Sequence, residues 1–276
     1  MKLEFKKIDD DKVTAIGMGT WGIGGSFTPD YSKDDEYVNV LRYGINLGLN
    51  IIDTAEMYGA GHTEEIVGKA IETVDRDSVF IISKIWPTNY GYESAKKSVK
   101  NSCKRLGTYV DLHLLHWPVD DFDRIVKTLH ALEELADAGF IRYIGVSNFD
   151  LDLLIKSQEV MKKYEIIANE VRFSLIHRYP EESGLLDYMR SEKVALIAHT
   201  PLEKGLLARN KCLDEIGRKY GKTAAQVALN WLIQKDIVIA IPKAAKKEHL
   251  RENCGAMGWR LSKEDCERAL NCVESL

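Results

Sequence analysis

The sequence predicts an α/β fold: a closed (β/α)8 barrel preceded by a short hairpin, in a single domain over residues 1–276. Two observations carry this. Eight short apolar runs rich in β-branched residues alternate with amphipathic stretches of helical period, each pair occupying roughly 25–45 residues, which implies parallel strands joined by helical crossovers. No Pro/Gly/Ser linker or low-complexity segment divides the chain, and eight such units in about 250 residues match a closed barrel better than an open doubly wound sheet.

In chain order, "KLEFKKIDDDKVTA" reads as a small hairpin covering the bottom of the barrel. The strands are expected at "TAIGM" (14–18), "NIID" (50–53), "SVFIISK" (78–84), "VDLHLLH" (110–116), "IRYIGVS" (141–147), "EIIANE" (165–170), "VALIAHT" (194–200) and "DIVIAIP" (236–242). Helical patterns follow them: "DDEYVNVLRYGINLG", "HTEEIVGKAIET", "YESAKKSVKNSCKRLG", "DDFDRIVKTLHALEELADAG", "DLDLLIKSQEVMKK", "EESGLLDYMRSE", "KTAAQVALNWLIQKD" and "KKEHLRENC". Several begin at Asp, Ser or Thr and end at Gly, the asymmetry that capping favours.

The first strand runs into "AIGMGTWGIGG", where Gly17, Gly19 and Gly22 have G-x-G-x-x-G spacing. A dinucleotide-binding loop of that kind requires a helix immediately after the glycines, so that its amides face a pyrophosphate. Here "IGGSFTPDYSK", with Pro29, intervenes before a helix can start near Lys33, and the neighbourhood ~20 positions on, "VLRYG", lacks the acidic residue for a ribose. The glycines therefore predict a tight exposed turn, with Trp21 walling a pocket.

Composition bounds the function. Hydrophobic residues make up 45% and charged residues 29%, and the net charge of −4 gives no basis for nucleic acid as a partner. Apolar runs reach about six residues, well short of the ~20 that span a membrane. The N-terminus lacks the apolar stretch of a signal peptide, so a cytoplasmic protein is expected. The five cysteines are scattered without a C-x-x-C pair, so reduced thiols are expected rather than disulfides or zinc.

Chemistry concentrates where the strands end, the face that carries function in such barrels. Those ends read Asp53, Lys84, His116, Ser147-Asn148, Glu170, His199 and Lys243. One polar strand end is ordinary; a succession of seven predicts a shared polar pocket. With Tyr58 just beyond Asp53, three of them form a proton-transfer set. A tyrosine pKa is about 10, and an adjacent Lys84 ammonium held by Asp53 is expected to lower it. Tyr58 then serves as general acid, while His116 orients a carbonyl. Trp21, Trp86 and Trp117 follow strand ends and are expected to wall the pocket.

"NIIDTAEMYGAGHTEEIVGKAI", "IISKIWP", "LLHWP", "IGVSNF" and "IPKAAKKEHLREN" resemble, in order, the signature segments of the aldo-keto reductase family, from "MGTW" near residue 18 to "REN" near 253. The resemblance implies a (β/α)8, or TIM, barrel that binds NADP(H) in extended form at its C-terminal face. It implies reversible hydride transfer between nicotinamide and an aldehyde, ketone or alcohol carbon, with a small carbonyl compound as substrate. It matches the family's catalytic four to Asp53, Tyr58, Lys84 and His116. By the same resemblance Ser147 and Asn148 hold the nicotinamide carboxamide, and His199 takes the position of the aromatic stacked on the ring. Leu202, Lys204 and Gly205 cover the pyrophosphate; Lys243 meets the 2′-phosphate; Glu252 and Asn253 meet the adenine. Three positions depart from the family pattern: Glu170 replaces the usual Gln, Ala244 a serine and His249 an arginine. Neutral imidazole lacks the bidentate grip of guanidinium on phosphate, so relaxed discrimination with use of NAD(H) is expected. Two other readings share these residues: a cofactor-binding redox-sensing subunit with little turnover, and an aldolase using Lys84 as a Schiff-base lysine.

Overall fold

A computed structural model describes residues 2–274. Strands β1 (Phe5–Ile8) and β2 (Asp11–Thr14) pair antiparallel, with Phe5 opposite Thr14 and Ile8 opposite Asp11. This is the expected hairpin. The eight parallel strands are β3 (Met18–Gly19), β4 (Ile51–Asp53), β5 (Phe80–Ile85), β6 (Val110–Leu115), β7 (Ile141–Ser147), β8 (Ile166–Arg172), β9 (Ala195–His199) and β10 (Val238–Ala240). They lie side by side in chain order, and parallel bridges from Ile16 to Ala240 and from Gly19 to Lys243 close the sheet on itself. The Gly17 amide donates to the Ala240 carbonyl at 2.8 Å, and the Ala240 amide to the Ala15 carbonyl at 3.0 Å. The first barrel strand is shorter and later than the expected 14–18: Thr14 belongs to the hairpin, and between it and Met18 the chain makes only the isolated Ile16–Ala240 bridge.

Helices α1 (Asp34–Asn46), α2 (His62–Ile71), α3 (Tyr92–Leu106), α4 (Phe122–Asp137), α5 (Leu151–Glu159), α6 (Tyr179–Glu182), α7 (Leu185–Ser191), α8 (Lys211–Tyr220), α9 (Ala224–Ile233), α10 (Lys247–Cys254) and α11 (Lys263–Asn271) complete the described fold. Side-chain caps stand where the sequence places them: Asp121 on α4, Asp150 on α5 and a Thr223/Gln226 capping box on α9. Gly107 ends α3 with a left-handed φ of 71°. The sequence reading lacks α8 and α11. Both are short and highly charged and bury few apolar side chains; their low apolar content hid them, although the period is present, with Leu213 and Ile216 on one face of α8.

The expectation of five reduced thiols is corrected. Cys212 and Cys272 form a disulfide across 60 residues of sequence, their Cα atoms 5.6 Å apart, whereas Cys103, Cys254 and Cys266 are free. Packing of α8 against the end of α11 brings the pair together, and Asn210 Nδ2 donates to the Cys272 carbonyl at 3.1 Å. No local spacing announces such a contact.

Strand alternation divides the core in two. Odd positions of β4 and even positions of β5 and β6 point into the barrel, where Ile51, Phe80, Ile82, Leu112 and Leu114 meet Ala168, Ile197, Ile239 and Ile241. Ile8 and Val13 of the hairpin join the same cluster and plug its lower end. Alternate residues such as Ile52, Ile81, Leu115 and Leu196 pack outward against the helices.

Candidate active site

The same alternation builds the site. Two residues beyond an inward-facing apolar side chain, the next inward position on each strand is Asp53 above Ile51, Lys84 above Ile82 and His116 above Leu114. In the same way Glu170 stands above Ala168, His199 above Ile197 and Lys243 above Ile241. Near their C-terminal ends six strands thus change from apolar to polar at the same height. Above them opens a cavity of about 540 Å³. Asp53, Tyr58, His116, Ser147, Asn148, Glu170, His199, Leu202, Lys204, Gly205 and Lys243 all line it, together with Trp21, Trp86 and Trp117.

Lys84 lies beneath this layer, fully buried. Its ammonium donates to Asp53 Oδ1 and, at 3.1 Å, to the Thr54 carbonyl; Glu170 Oε2 is 3.2 Å away. Burial by itself would lower the lysine pKa, but Asp53, Glu170 and Tyr58 together push it up, so the ammonium is permanent. Both carboxyls shift upward instead. Burial disfavours their anionic forms more than Lys84 favours them.

Tyr58 opens a 3₁₀ turn, Tyr58–Gly61. Gly59 adopts φ 55° there, and a Cβ on it would come within 2.6 Å of the Gly24 carbonyl oxygen. Glycines thus seat the Tyr58 turn against the first loop. The Lys84 ammonium stands 5.3 Å from the centre of the Tyr58 ring, and Trp21 packs on that ring edge-on at 4.9 Å. The expected lowering of the Tyr58 pKa is corrected. Lys84 does pull it down, but burial dominates and raises it, leaving the phenol protonated.

His116 meets Tyr58 edge-on at 5.8 Å and Trp86 at 5.1 Å. Burial, with the Lys84 charge acting in the same sense, holds its pKa down to about 2, so the ring is neutral. Its Nδ1 is buried without a partner, which leaves Nε2 as the nitrogen open toward the cavity. His199 is likewise neutral, pushed down to about 3 chiefly by burial. Its Nε2 faces Asn148 Oδ1 at 2.9 Å and its Nδ1 faces the Thr200 hydroxyl at 3.0 Å. Asn148, held at φ 61°, donates through Nδ2 to the His116 carbonyl and to Ser147 Oγ. One hydrogen-bonded chain therefore fixes Ser147, Asn148 and His199 relative to each other.

At the cationic end, Lys243 is exposed at the rim of the cavity, its pKa lowered by partial desolvation, and no carboxylate lies within 4 Å of it among the described residues. A Cβ on Gly22 (φ 77°) would come 2.9 Å from the Lys243 ammonium. The glycine pattern of the first loop thus gives space to a lysine from the opposite end of the chain. On α10, His249 is exposed, Glu252 half-buried and Asn253 buried, all three outside the lining of the cavity. Phe27, Met57 and Thr200 also line the cavity but were not singled out from the sequence. Met57 was accessible as the neighbour of Tyr58; Phe27 lies in an irregular loop with no periodic signal. Glu56 accepts from the Trp86 amide at 2.6 Å and so anchors the loop that carries that wall. Among the described residues no group of three or more His, Cys, Asp and Glu is placed to hold a metal ion, and no helix is long and apolar enough to cross a membrane.

The sequence pattern of the Aldo/keto reductase family matches residues 15–274. A methylglyoxal reductase of Escherichia coli is 36% identical over 92% of this chain and 88% of its own. A thermostable aldo-keto reductase solved with the inhibitor epalrestat is 42% identical, with a TM-score of 0.93 over 99% of this chain and all of that one. An aldo-keto reductase from Klebsiella pneumoniae, solved with NADPH, is 34% identical with a TM-score of 0.88, covering 98% and 94% of the two chains.

Proposed function

We propose that this chain, which belongs to the aldo/keto reductase family, reduces small aldehydes and ketones with NADPH, Tyr58 acting as the proton donor. The observation that carries the reading is the convergence of Tyr58, His116 and the Asp53–Lys84 pair on one cavity floor beneath aromatic walls. The cavity also offers features that fit a nicotinamide dinucleotide. They are a fixed Ser147–Asn148–His199 chain, an unpartnered buried oxygen on Glu170, and a Lys243 at the cavity rim with no carboxylate among the described residues to neutralise it.

On this reading Ser147, Asn148 and Glu170 hold the nicotinamide carboxamide and His199 stacks on the ring. Leu202, Lys204 and Gly205 cover the pyrophosphate; Lys243 takes the 2′-phosphate; His249, Glu252 and Asn253 serve the adenine end. The cofactor, when bound, supplies the hydride. His116, neutral and open at Nε2, donates a hydrogen bond to the substrate oxygen and fixes its orientation. The raised Tyr58 pKa keeps the phenol proton in place until charge develops on that oxygen. As the proton passes to the oxygen, the phenolate left behind faces the Lys84 ammonium, which Asp53 holds fixed and charged. In the oxidative direction Tyr58 takes the proton back. Trp21, Trp86 and Trp117 form the apolar walls that bury the substrate and exclude water. Methylglyoxal, the compound named for the Escherichia coli relative, is the first substrate to test. With Ala244 and His249 in place of the family's serine and arginine, NADH is expected to work as well, less efficiently than NADPH.

Oxidation of NADPH and NADH against methylglyoxal and a panel of neutral aldehydes tests the reading. Tyr58→Phe should lower kcat by about 10²-fold or more while leaving NADPH affinity unchanged. Equal turnover by the variant would remove Tyr58 from the chemistry.

A further inference from the structure

Three ionisable groups share the buried floor of the cavity: one ammonium, Lys84, and two carboxyls, Asp53 and Glu170. If both carboxyls were ionised the cluster would carry an uncompensated negative charge in a fully buried place, which is costly. Among the described residues no other cation pairs with either carboxyl. β7 presents Ser147 to Glu170; β9 presents His199, which is neutral; β6 presents His116, also neutral; Tyr58 is a neutral phenol. Arg172, two residues further along β8, is paired with Glu203. Geometry points the same way. Both carboxyls crowd one ammonium: Lys84 Nζ donates to Asp53 Oδ1 and lies 3.2 Å from Glu170 Oε2, so two buried acids contend for a single counter-charge. Glu170 Oε2, although 3.2 Å from Lys84, makes no hydrogen bond. Burial is the main force that raises the Glu170 pKa, with Asp53 adding to it and Lys84 opposing.

We propose that Asp53 and Glu170 share one proton in the resting protein, and that this proton leaves when a cationic ring binds above Glu170 and stays when the ring is neutral. This rests on the reading above that the nicotinamide lies against Ser147, Asn148 and Glu170. The balance is simple: the protein with Glu170 protonated, plus NADP⁺, gives the complex with Glu170 ionised plus one released proton. NADPH, whose ring is uncharged, binds with no release. The ionised carboxylate then neutralises the oxidised ring, a favourable contact unavailable to the reduced one. Glu170 is thus a positioning residue whose charge follows the redox state of the cofactor, and a rising pH should favour the oxidised form in the site.

The test compares Kd values for NADP⁺ and NADPH between pH 6.5 and 9, measured with the intact protein and with Glu170→Gln. Both nucleotides carry the same 2′-phosphate, so its titration cancels in the ratio. In the unmodified protein Kd(NADP⁺)/Kd(NADPH) should fall with rising pH, by up to about tenfold per pH unit. In Glu170→Gln, neutral at every pH, the ratio should be flat. A flat ratio in the unmodified protein, or the same slope in the variant, overturns the proposal while leaving the reductase reading intact. Binding of neither nucleotide overturns both. Should the variant not fold, carbon-13 NMR of carboxyl-labelled glutamate in the unmodified protein decides. One protonated resonance should move to the ionised position on adding NADP⁺ and stay in place with NADPH; no movement with either overturns the proposal.

Discussion

The lower and upper halves of the barrel interior are built by the same strands with the same inward alternation, yet their chemistry is opposite. Below, Ile51, Phe80, Ile82, Leu112 and Leu114 fill the space and the hairpin residues Ile8 and Val13 seal it. One step up, Asp53, Lys84, His116 and Glu170 replace them and the barrel opens into a cavity. The lower layer is stabilised by removing apolar area from water and has no preferred charge state. The upper layer adds to the neutral His116 a set of mutually dependent ionisable groups, Asp53, Lys84 and Glu170, each tolerable only because another is present. The difference teaches where each kind of substitution should register: in stability alone below, in stability and chemistry together above.

The strongest way to break the comparison is Lys84→Met, which leaves the Asp53 carboxyl without its ammonium. Removing one partner of a buried pair costs on the order of 3–5 kcal/mol, and proton donation from Tyr58 loses its stabilising charge. Denaturant unfolding and kcat should both fall, whereas a variant with normal turnover would show that the cluster is only structural. One layer lower, Ile82→Ala should cost about 2–5 kcal/mol in unfolding free energy while kcat/KM at a permissive temperature changes little. A large loss of activity there would mean that the two layers are coupled.

The smallest effect sharpens the comparison within one strand. On β6, His116 faces the cavity and His113 faces the helices, and both are buried and neutral. The His113 pKa is held down to about 3, mainly by burial. Because the folded value lies below the unfolded value of about 6.5, its contribution to stability is present above that pH and is lost as pH falls toward 3. Both ring nitrogens of His113 lack partners. His113→Leu should therefore make unfolding free energy less dependent on pH between 6.5 and 5, by up to about 1.4 kcal/mol per pH unit. It should leave the cofactor and substrate constants alone. Chemical denaturation across that pH range checks it.

Much of the site was legible because strand alternation is local. A run such as "FIISK" states both that a strand is present and that Lys84 lies on the same face as Ile82; "IANE" does the same for Glu170. The first glycine loop was correctly set aside as a dinucleotide fingerprint, since no helix follows it until Asp34. Its actual service, making room for Lys243 and for the Tyr58 turn, involves residues more than 30 and 200 positions away and left no local trace.

By itself the sequence determined the number and order of strands, the polar residue at the end of seven of them, the caps of α4, α5 and α9 and the three tryptophans beside the pocket. All of these follow from the periodicity and conformational preferences of neighbouring residues. The tertiary structure alone decided the rest: the pairing of Cys212 with Cys272 and the approach of Glu170 to the Asp53–Lys84 pair. It also reversed the direction in which Tyr58 titrates. Closeness of charges can be guessed from motifs, but the depth at which they are buried depends on every element packed around them. In this site it is the loss of water, more than the nearest ammonium, that sets where the protons reside.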